Sequence, residues 1–259
     1  MNRYKIYLLL LIISISGAFV MPPFKPKPTI FLIGDSTVRN GTLGNGAGGL
    51  WGWGSFFPKL FDTTLVKIQN KAMGGTNSRT YTAIGLWDIV LADLRPGDFV
   101  IMQFGHNDNG KTAVRGNGED TVHIINQRTG KMEIVHSFGW NIRKYISDTK
   151  ARGATPIVCS LVPRNRWANG KVIRDSTHRV WAMQAAQQEG AWYIDLNTIV
   201  ADHYDSIGED KVTGAYFTEK DAVHTIAGGA IKTAALVAEG LRQLRNSPLQ
   251  KYMVKNGKQ

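Results

Sequence analysis

The chain has 259 residues, 43% of them hydrophobic, with a formal net charge of +11 and a single cysteine. This length and apolar content suffice for one large core, and no internal repeat, low-complexity tract or long linker argues for a second domain. One cysteine excludes an intrachain disulfide, and the positive charge comes without a recognition-helix motif, zinc-finger spacing or aromatic nucleic-acid signature, so it favours an anionic surface or an acidic polymer as partner over nucleic acid.

Residues 1–18 read as an export signal. Asn2-Arg3-Tyr4-Lys5 supplies the positive end, residues 6–15 the apolar core and Ser16-Gly17-Ala18 the small residues for cleavage. The apolar stretch is short of the roughly 20 residues that span a bilayer, so cleavage is expected over an uncleaved anchor. No cysteine follows for a lipoprotein anchor, and loss of Arg3 and Lys5 would lower the net charge by two. The mature protein is expected to be secreted or periplasmic, with no stable membrane insertion. Residues 21–28, with prolines and lysines, form an extended lead-in to a folded domain over 29–247.

Apolar, β-rich runs recur at 29–33, 65–70, 99–104, 156–161 and 192–195. Helical segments are predicted at 82–94, 137–151, 176–189 and 226–244. The second places Phe138, Ile142, Tyr145 and Thr149 on one face, with Gly153 as its stop. Strands alternating with helices imply an α/β fold whose parallel sheet carries helices on both faces. Nearly continuous apolar strands fit that burial. Cys159, inside the fourth run, reads as a buried structural thiol. The glycine-rich stretch 40–54 has neither a phosphate-loop ending nor a dinucleotide fingerprint, and reads as a wall beside the first strand. The polar stretch 109–135 is long for a connection and predicts a binding loop or small hairpin. The basic series Arg242, Arg245, Lys251, Lys255 and Lys258 predicts a solvated helix and tail.

Four islands carry the candidate chemistry: Gly34-Asp35-Ser36-Thr37, Gly74-Gly75, Gly105-His106-Asn107-Asp108 and Asp221-Ala222-Val223-His224. The first three follow apolar runs, and the carboxyl ends of parallel strands are where α/β sheets gather reactive groups. A serine hydroxyl needs a base to act as nucleophile, and His224 with Asp221 three residues before it can supply one. Gly75 and Asn107 are candidate oxyanion donors. Each island also has a plain structural reading. Asp35-Ser36-Thr37 caps a helix, Asp-x-x-His forms a surface turn ahead of a helix capped by Thr225, and glycine and asparagine favour turns. Asp35, His106, Asn107, Asp108 and His224 are also metal-ligand types, but a dinuclear site would leave Ser36 without a role. Trp51, Trp53 and Trp87 are of a type that stacks on sugar rings, although tryptophan more often packs, and none is assigned to the site.

Taken together, the islands resemble the SGNH (GDSL-like) hydrolases, whose name records a serine, a glycine, an asparagine and a histidine on separate blocks. Within them the likeness is to rhamnogalacturonan acetylesterases and their bacterial relatives. Gly34-Asp35-Ser36-Thr37 resembles the first block, with threonine where many members have leucine. Gly75-Thr76-Asn77-Ser78-Arg79-Thr80 resembles the second, with Thr76 where the acetylesterases often have arginine. Gly105-His106-Asn107-Asp108 matches the third and Asp221-Ala222-Val223-His224 the last. Val162-Pro163-Arg164-Asn165 is also similar to bacterial members.

The resemblance implies a three-layer α/β/α fold with a flavodoxin-like parallel sheet. It implies Ser36 as nucleophile, His224 as base and Asp221 as its orienting carboxylate. The Ser36 and Gly75 amides with the Asn107 side chain would hold the oxyanion, with no metal or organic cofactor. The expected substrate is an acetylated acidic polysaccharide of the pectin type. A lipase or thioesterase acting on acyl chains, and a catalytically silent polysaccharide-binding relative, are the alternatives.

Overall fold

In the computed structural model, which describes residues 26–41, 48–110, 113–126 and 129–254, the five apolar runs become strands. The export-signal reading of residues 1–18 lies outside the described residues. β1 (Thr29–Gly34) is followed by β2 (Lys67–Asn70). Where the pattern predicts one helix over 82–94, there are two, α1 (Ser78–Ala83) and α2 (Leu86–Asp93). Asn77 starts α1 by a reciprocal cap: its side chain accepts from the Thr80 N–H, and its own N–H donates to the Thr80 hydroxyl. Gly85, at φ +82°, then breaks the run.

β3 (Phe99–Gln103) leads into the polar insertion, which holds the hairpin β4 (Thr121–Ile125) and β5 (Met132–His136). Next come α3 (Phe138–Ala151), β6 (Thr155–Cys159), the short ribbon β7 (Trp167–Ala168) and β8 (Lys171–Val172), α4 (His178–Gln188) and β9 (Trp192–Ile194). Two helices unassigned from sequence follow, α5 (Leu196–Ile207) and α6 (Glu209–Tyr216), separated by Gly208 at φ +85°. The ribbon β10 (Phe217–Thr218) and β11 (Asp221–Thr225) leads into α7 (Ala227–Gln243).

The central sheet has the order β2-β1-β3-β6-β9, with every neighbouring pair parallel. After β2 the chain returns to place β3 on the other side of β1. That reversal opens a crevice at the carboxyl ends of β1 and β3, where α/β sheets bind ligands.

Alternation along the strands divides the core. Ile30, Leu32, Ile101 and Ile157 pack in one cluster with Leu196, Val200, Val237 and Leu241 from α5 and α7. Phe31, Ile33, Val100, Met102 and Val158 pack in another with Trp87, Ile142, Tyr145 and Ala185 from α2, α3 and α4. Each fully buried side chain of this size contributes about 1.5–3 kcal/mol. The expected three-layer α/β/α fold is thus present.

The predicted α3 face of Phe138, Ile142, Tyr145 and Thr149 is buried, and Gly153 follows the helix at φ +70°. Cys159 is buried in β6, and burial pushes its thiol up to about 12. Arg242, Arg245 and Lys251 are exposed, as expected, while Lys255 and Lys258 lie outside the described residues. Among the described residues, no helix is long and apolar enough to cross a membrane.

Candidate active site

The turn after β1 presents Ser36. Gly34 is required there, since a Cβ would stand 2.4 Å from the Gln103 carbonyl oxygen and 2.8 Å from Val38 Cγ2. The chain then makes one helical turn, with the Val38 and Arg39 amides donating to the Asp35 carbonyl at 3.2 and 3.1 Å. Asp35 Oδ1 accepts from the Thr37 amide at 2.9 Å and the Thr37 hydroxyl at 2.8 Å. Among the described residues, no helix follows for Asp35-Ser36-Thr37 to cap; Asp35 instead closes this isolated turn, with Ser36 left partly exposed. Behind the turn, Gln103 Nε2 donates to Thr37 Oγ1 at 2.6 Å, and Trp53 Nε1 donates to Gln103 Oε1 at 2.8 Å. Asp35, Thr37, Gln103 and Trp53 are buried, so polar satisfaction in the interior fixes the turn.

The glycine-rich wall is laced to the same turn. The Trp53 amide donates to the Thr37 carbonyl at 2.9 Å and the Gly54 amide to the Val38 carbonyl at 3.1 Å. A Cβ on either Gly52 or Gly54 would come within 2.4 Å of a turn carbonyl oxygen, which explains glycine at both. Residues 42–47 of this stretch lie outside the described ones. Trp53 and Trp87 are buried and hydrogen-bonded inside, so neither is available to stack on a sugar.

β11 brings His224 to Ser36 from the far end of the chain. Ser36 Oγ and His224 Nε2 are 2.8 Å apart, and His224 Nδ1 lies 2.8 Å from Asp221 Oδ2. An ionised carboxylate can only accept, so Nδ1 carries the ring proton and Nε2 of the neutral ring is free to accept from the serine hydroxyl. Asp221 Oδ1 accepts from the Val223 and His224 amides at 2.8 and 2.9 Å. Burial raises the Asp221 carboxyl, but those amides and the imidazole outweigh it and hold the group below the ordinary carboxylate range. Asp221 and His224 are about one-quarter and one-third exposed, so the pair opens to solvent.

One expectation is corrected here. Thr225 does not cap the following helix, whose N-cap is Ile226. Its hydroxyl instead donates to the Trp51 carbonyl at 2.9 Å while the Trp51 amide donates back to the Thr225 carbonyl at 2.8 Å. Backbone pairing to the wall anchors β11 beside Ser36, which a local cap would not do. From the other side, the Asn165 amide donates to the Ala222 carbonyl at 2.8 Å, so the loop holding Arg164 also supports this strand.

Gly75 and Asn107 are brought together across the crevice. Gly75 has φ +78°, which only glycine adopts without strain. Among the described residues neither its amide nor that of Ser36 has a protein acceptor. Asn107 Nδ2 donates to the Thr76 carbonyl at 2.9 Å, and Asn77 Nδ2 donates to the Asn107 carbonyl at 3.2 Å. The second N–H of the Asn107 amide is uncommitted.

Residues that the sequence reading named without a role in the ester-cleaving site support these donors. Asp108 Oδ1 accepts from the Ser78 amide at 3.0 Å and from the Ser78 hydroxyl, tying the β3 loop to the start of α1. Burial pushes the Asp108 carboxyl up to about 6. His106 is buried, and burial also holds its imidazole below the ordinary histidine range, with Asp35 opposing and Arg164 reinforcing that shift. Asp108 followed Asn107 directly, so proximity in sequence was a signal. Nothing local marked Gln103 or Trp53. Among the described residues, no group of three or more His, Cys, Asp or Glu is arranged to hold a metal ion.

Residues 32–224 match the family described as GDSL-like Lipase/Acylhydrolase. The chain is 32% identical over 210 residues to a rhamnogalacturonan acetylesterase of Emericella nidulans, an alignment covering 78% of this chain and 80% of that one. It is 29% identical to a probable rhamnogalacturonan acetylesterase of Bacillus subtilis, covering 87% and 97%. Among solved structures it is similar to the Bacillus subtilis protein YxiM, at a TM-score of 0.71 and 26% identity, covering 84% of this chain but 56% of that one. An acetyl xylan esterase of Geobacillus stearothermophilus shares the fold at a TM-score of 0.52 and 16% identity, covering 88% and 96%.

Proposed function

The chain belongs to the GDSL-like lipase/acylhydrolase family of SGNH hydrolases and is a carboxylic ester hydrolase, and on that premise we propose that it removes acetyl groups from an acetylated plant polysaccharide of the pectin type, rhamnogalacturonan. The observation that carries the mechanism is the unbroken relay from Ser36 Oγ through both nitrogens of His224 to Asp221, each contact 2.8 Å long.

In this reading Ser36 Oγ attacks the acetyl carbonyl as His224 Nε2 takes the hydroxyl proton. Asp221 keeps the ring in the right tautomer and stabilises the imidazolium that forms. The oxyanion is held by the Ser36 and Gly75 amides and the uncommitted N–H of Asn107. The intermediate then collapses: His224 returns the proton to the departing sugar oxygen, leaving acetyl-Ser36. Water attacks that ester with His224 again as base, and acetate leaves. Two relatives named rhamnogalacturonan acetylesterases support acetate and pectin over long acyl chains. The positive charge of the chain suits an acidic glycan, and the N-terminal export signal suits a substrate outside the cell.

Ser36→Ala tests this directly. Acetate release from acetylated rhamnogalacturonan should fall to background while the circular-dichroism spectrum and thermal midpoint stay those of the parent. Undiminished acetate release from that variant would remove Ser36 from the chemistry, and a preference for long-chain esters over acetate would select a lipase-type substrate.

A further inference from the structure

Resting on the ester-cleaving reading above, we propose that Arg39 and Arg164 bind carboxylates of the substrate, on uronic acid residues flanking the acetylated sugar, and thereby set a preference for an anionic glycan. Among the described residues, half-buried arginines fall into two sets. Arg79, Arg143, Arg174 and Arg179 each end on protein carboxylates, at Glu133, at Glu119, at Asp202 and Asp205, and at Asp195 respectively. Arg39 and Arg164 are as sheltered as these but have no carboxylate partner. Both stand at the mouth of the crevice.

Arg39 follows the nucleophile turn. Its backbone is fastened under the glycine-rich wall, with Ser55 Oγ donating to its carbonyl at 3.4 Å, so its side chain starts from a fixed point. That side chain lies over Gly74, where a Cβ would stand 3.1–3.2 Å from its Cδ, Nε and Nη1. Gly74, unlike Gly75, has no positive φ. Glycine at 74 thus lets the guanidinium lie close, immediately beside the Gly75 amide.

Arg164 sits on the opposite side. One nitrogen, Nη2, donates to the His106 carbonyl at 3.3 Å, which leaves most of its five N–H donors free. The next residue is fastened to Ala222 beside Asp221 and His224. In the sheet order β2-β1-β3-β6-β9, Gly74 follows β2 and Arg164 follows β6, while Ser36 follows β1 between them. A glycan lying across Ser36 therefore meets one guanidinium on each side. A half-buried guanidinium has given up part of its hydration, and its planar fork matches a carboxylate in two parallel hydrogen bonds. Uronate carboxylates supply that group in a polysaccharide, and the ordered backbones on both sides lower the cost of forming the contacts.

The test compares acetate release from acetylated galacturonate oligosaccharides bearing free carboxylates with release from the same oligosaccharides after methyl esterification. The full-length enzyme should favour the free acid by about tenfold to a hundredfold in kcat/KM, chiefly through KM. Arg39→Gln and Arg164→Gln should each shrink that ratio, and Arg39→Lys should recover only part of it because an ammonium lacks the fork. A wild-type ratio near one overturns the proposal, and so do variants that lose activity equally on both substrates, since that is a positioning effect. If the wild-type enzyme releases acetate from neither oligosaccharide, the acetylesterase reading fails first and this inference fails with it.

Discussion

In the proposed mechanism, Asn107 would serve position and chemistry with one side chain. One of its amide hydrogens is spent on the Thr76 carbonyl at 2.9 Å, which holds the second in a set direction. A donor fixed before the reaction stabilises a developing oxyanion without reorganising, so Asn107→Ala should lower kcat by roughly 10²–10³. KM for acetylated substrate should change little, because the ground-state carbonyl carries less charge than the oxyanion. Steady-state kinetics separates the two parameters, and a loss confined to KM would reassign Asn107 to substrate binding. The same economy holds at Asp35, where closure of the turn and presentation of Ser36 are one arrangement. Ser36, Gly75 and Asn107 were legible as residue types after apolar runs, and Asp221 with His224 as a carboxylate–imidazole pair three residues apart ahead of a helix. Gln103 and Trp53 were not, because their role depends on which buried donors and acceptors they meet across the interior.

At the scale of elements, the link between the β3 loop and α1 has a pH signature. Asp108 is buried and its carboxyl is pushed up to about 6 from an ordinary value of 3.8. The folded protein therefore holds this proton at pH values where the unfolded chain has released it. The resulting stabilisation is full below about pH 4 and is lost as the pH rises through about 6. Asp108→Asn stays neutral throughout, so wild-type stability relative to this variant should decline by about 3 kcal/mol between pH 4 and pH 7. Urea unfolding at both pH values measures this, and a pH-independent difference would clear Asp108 as the source. The split of the predicted 82–94 helix belongs to this scale too. Its helical composition was real, but a capping box at Asn77 and a left-handed Gly85 moved its start and broke it. The helices α5 and α6 went unassigned, and Gly208 separates them.

For the whole molecule, charge and topology act together. A net charge of +11 sets up a positive potential that would favour the acidic glycan proposed as substrate, and it is screened by salt over about 8–10 Å at physiological strength. Raising the salt from about 20 to 200 mM should lower kcat/KM on acetylated polygalacturonate several-fold, because the screening length contracts to below the size of the protein. Activity on neutral 4-nitrophenyl acetate should not follow, and parallel declines on both substrates would point to a salt effect on the enzyme itself. Topology contributes the focus: the reversal between β2 and β3 opens the crevice at the end of β1, where Ser36 meets His224 and, in the proposed reading, the oxyanion donors.

The sequence by itself determined the alternation that makes a parallel sheet covered on both faces, because side-chain period along a strand or helix is a local property. It also determined which residue types stand at the strand ends. Only the tertiary structure decided that Ser36 and His224, 188 positions apart, meet at 2.8 Å, that β11 is held by the wall through Trp51, and that Arg39 and Arg164 are, among the described residues, the sheltered arginines left without a carboxylate. Those outcomes depend on which distant groups satisfy one another when water is excluded, and no local pattern records that.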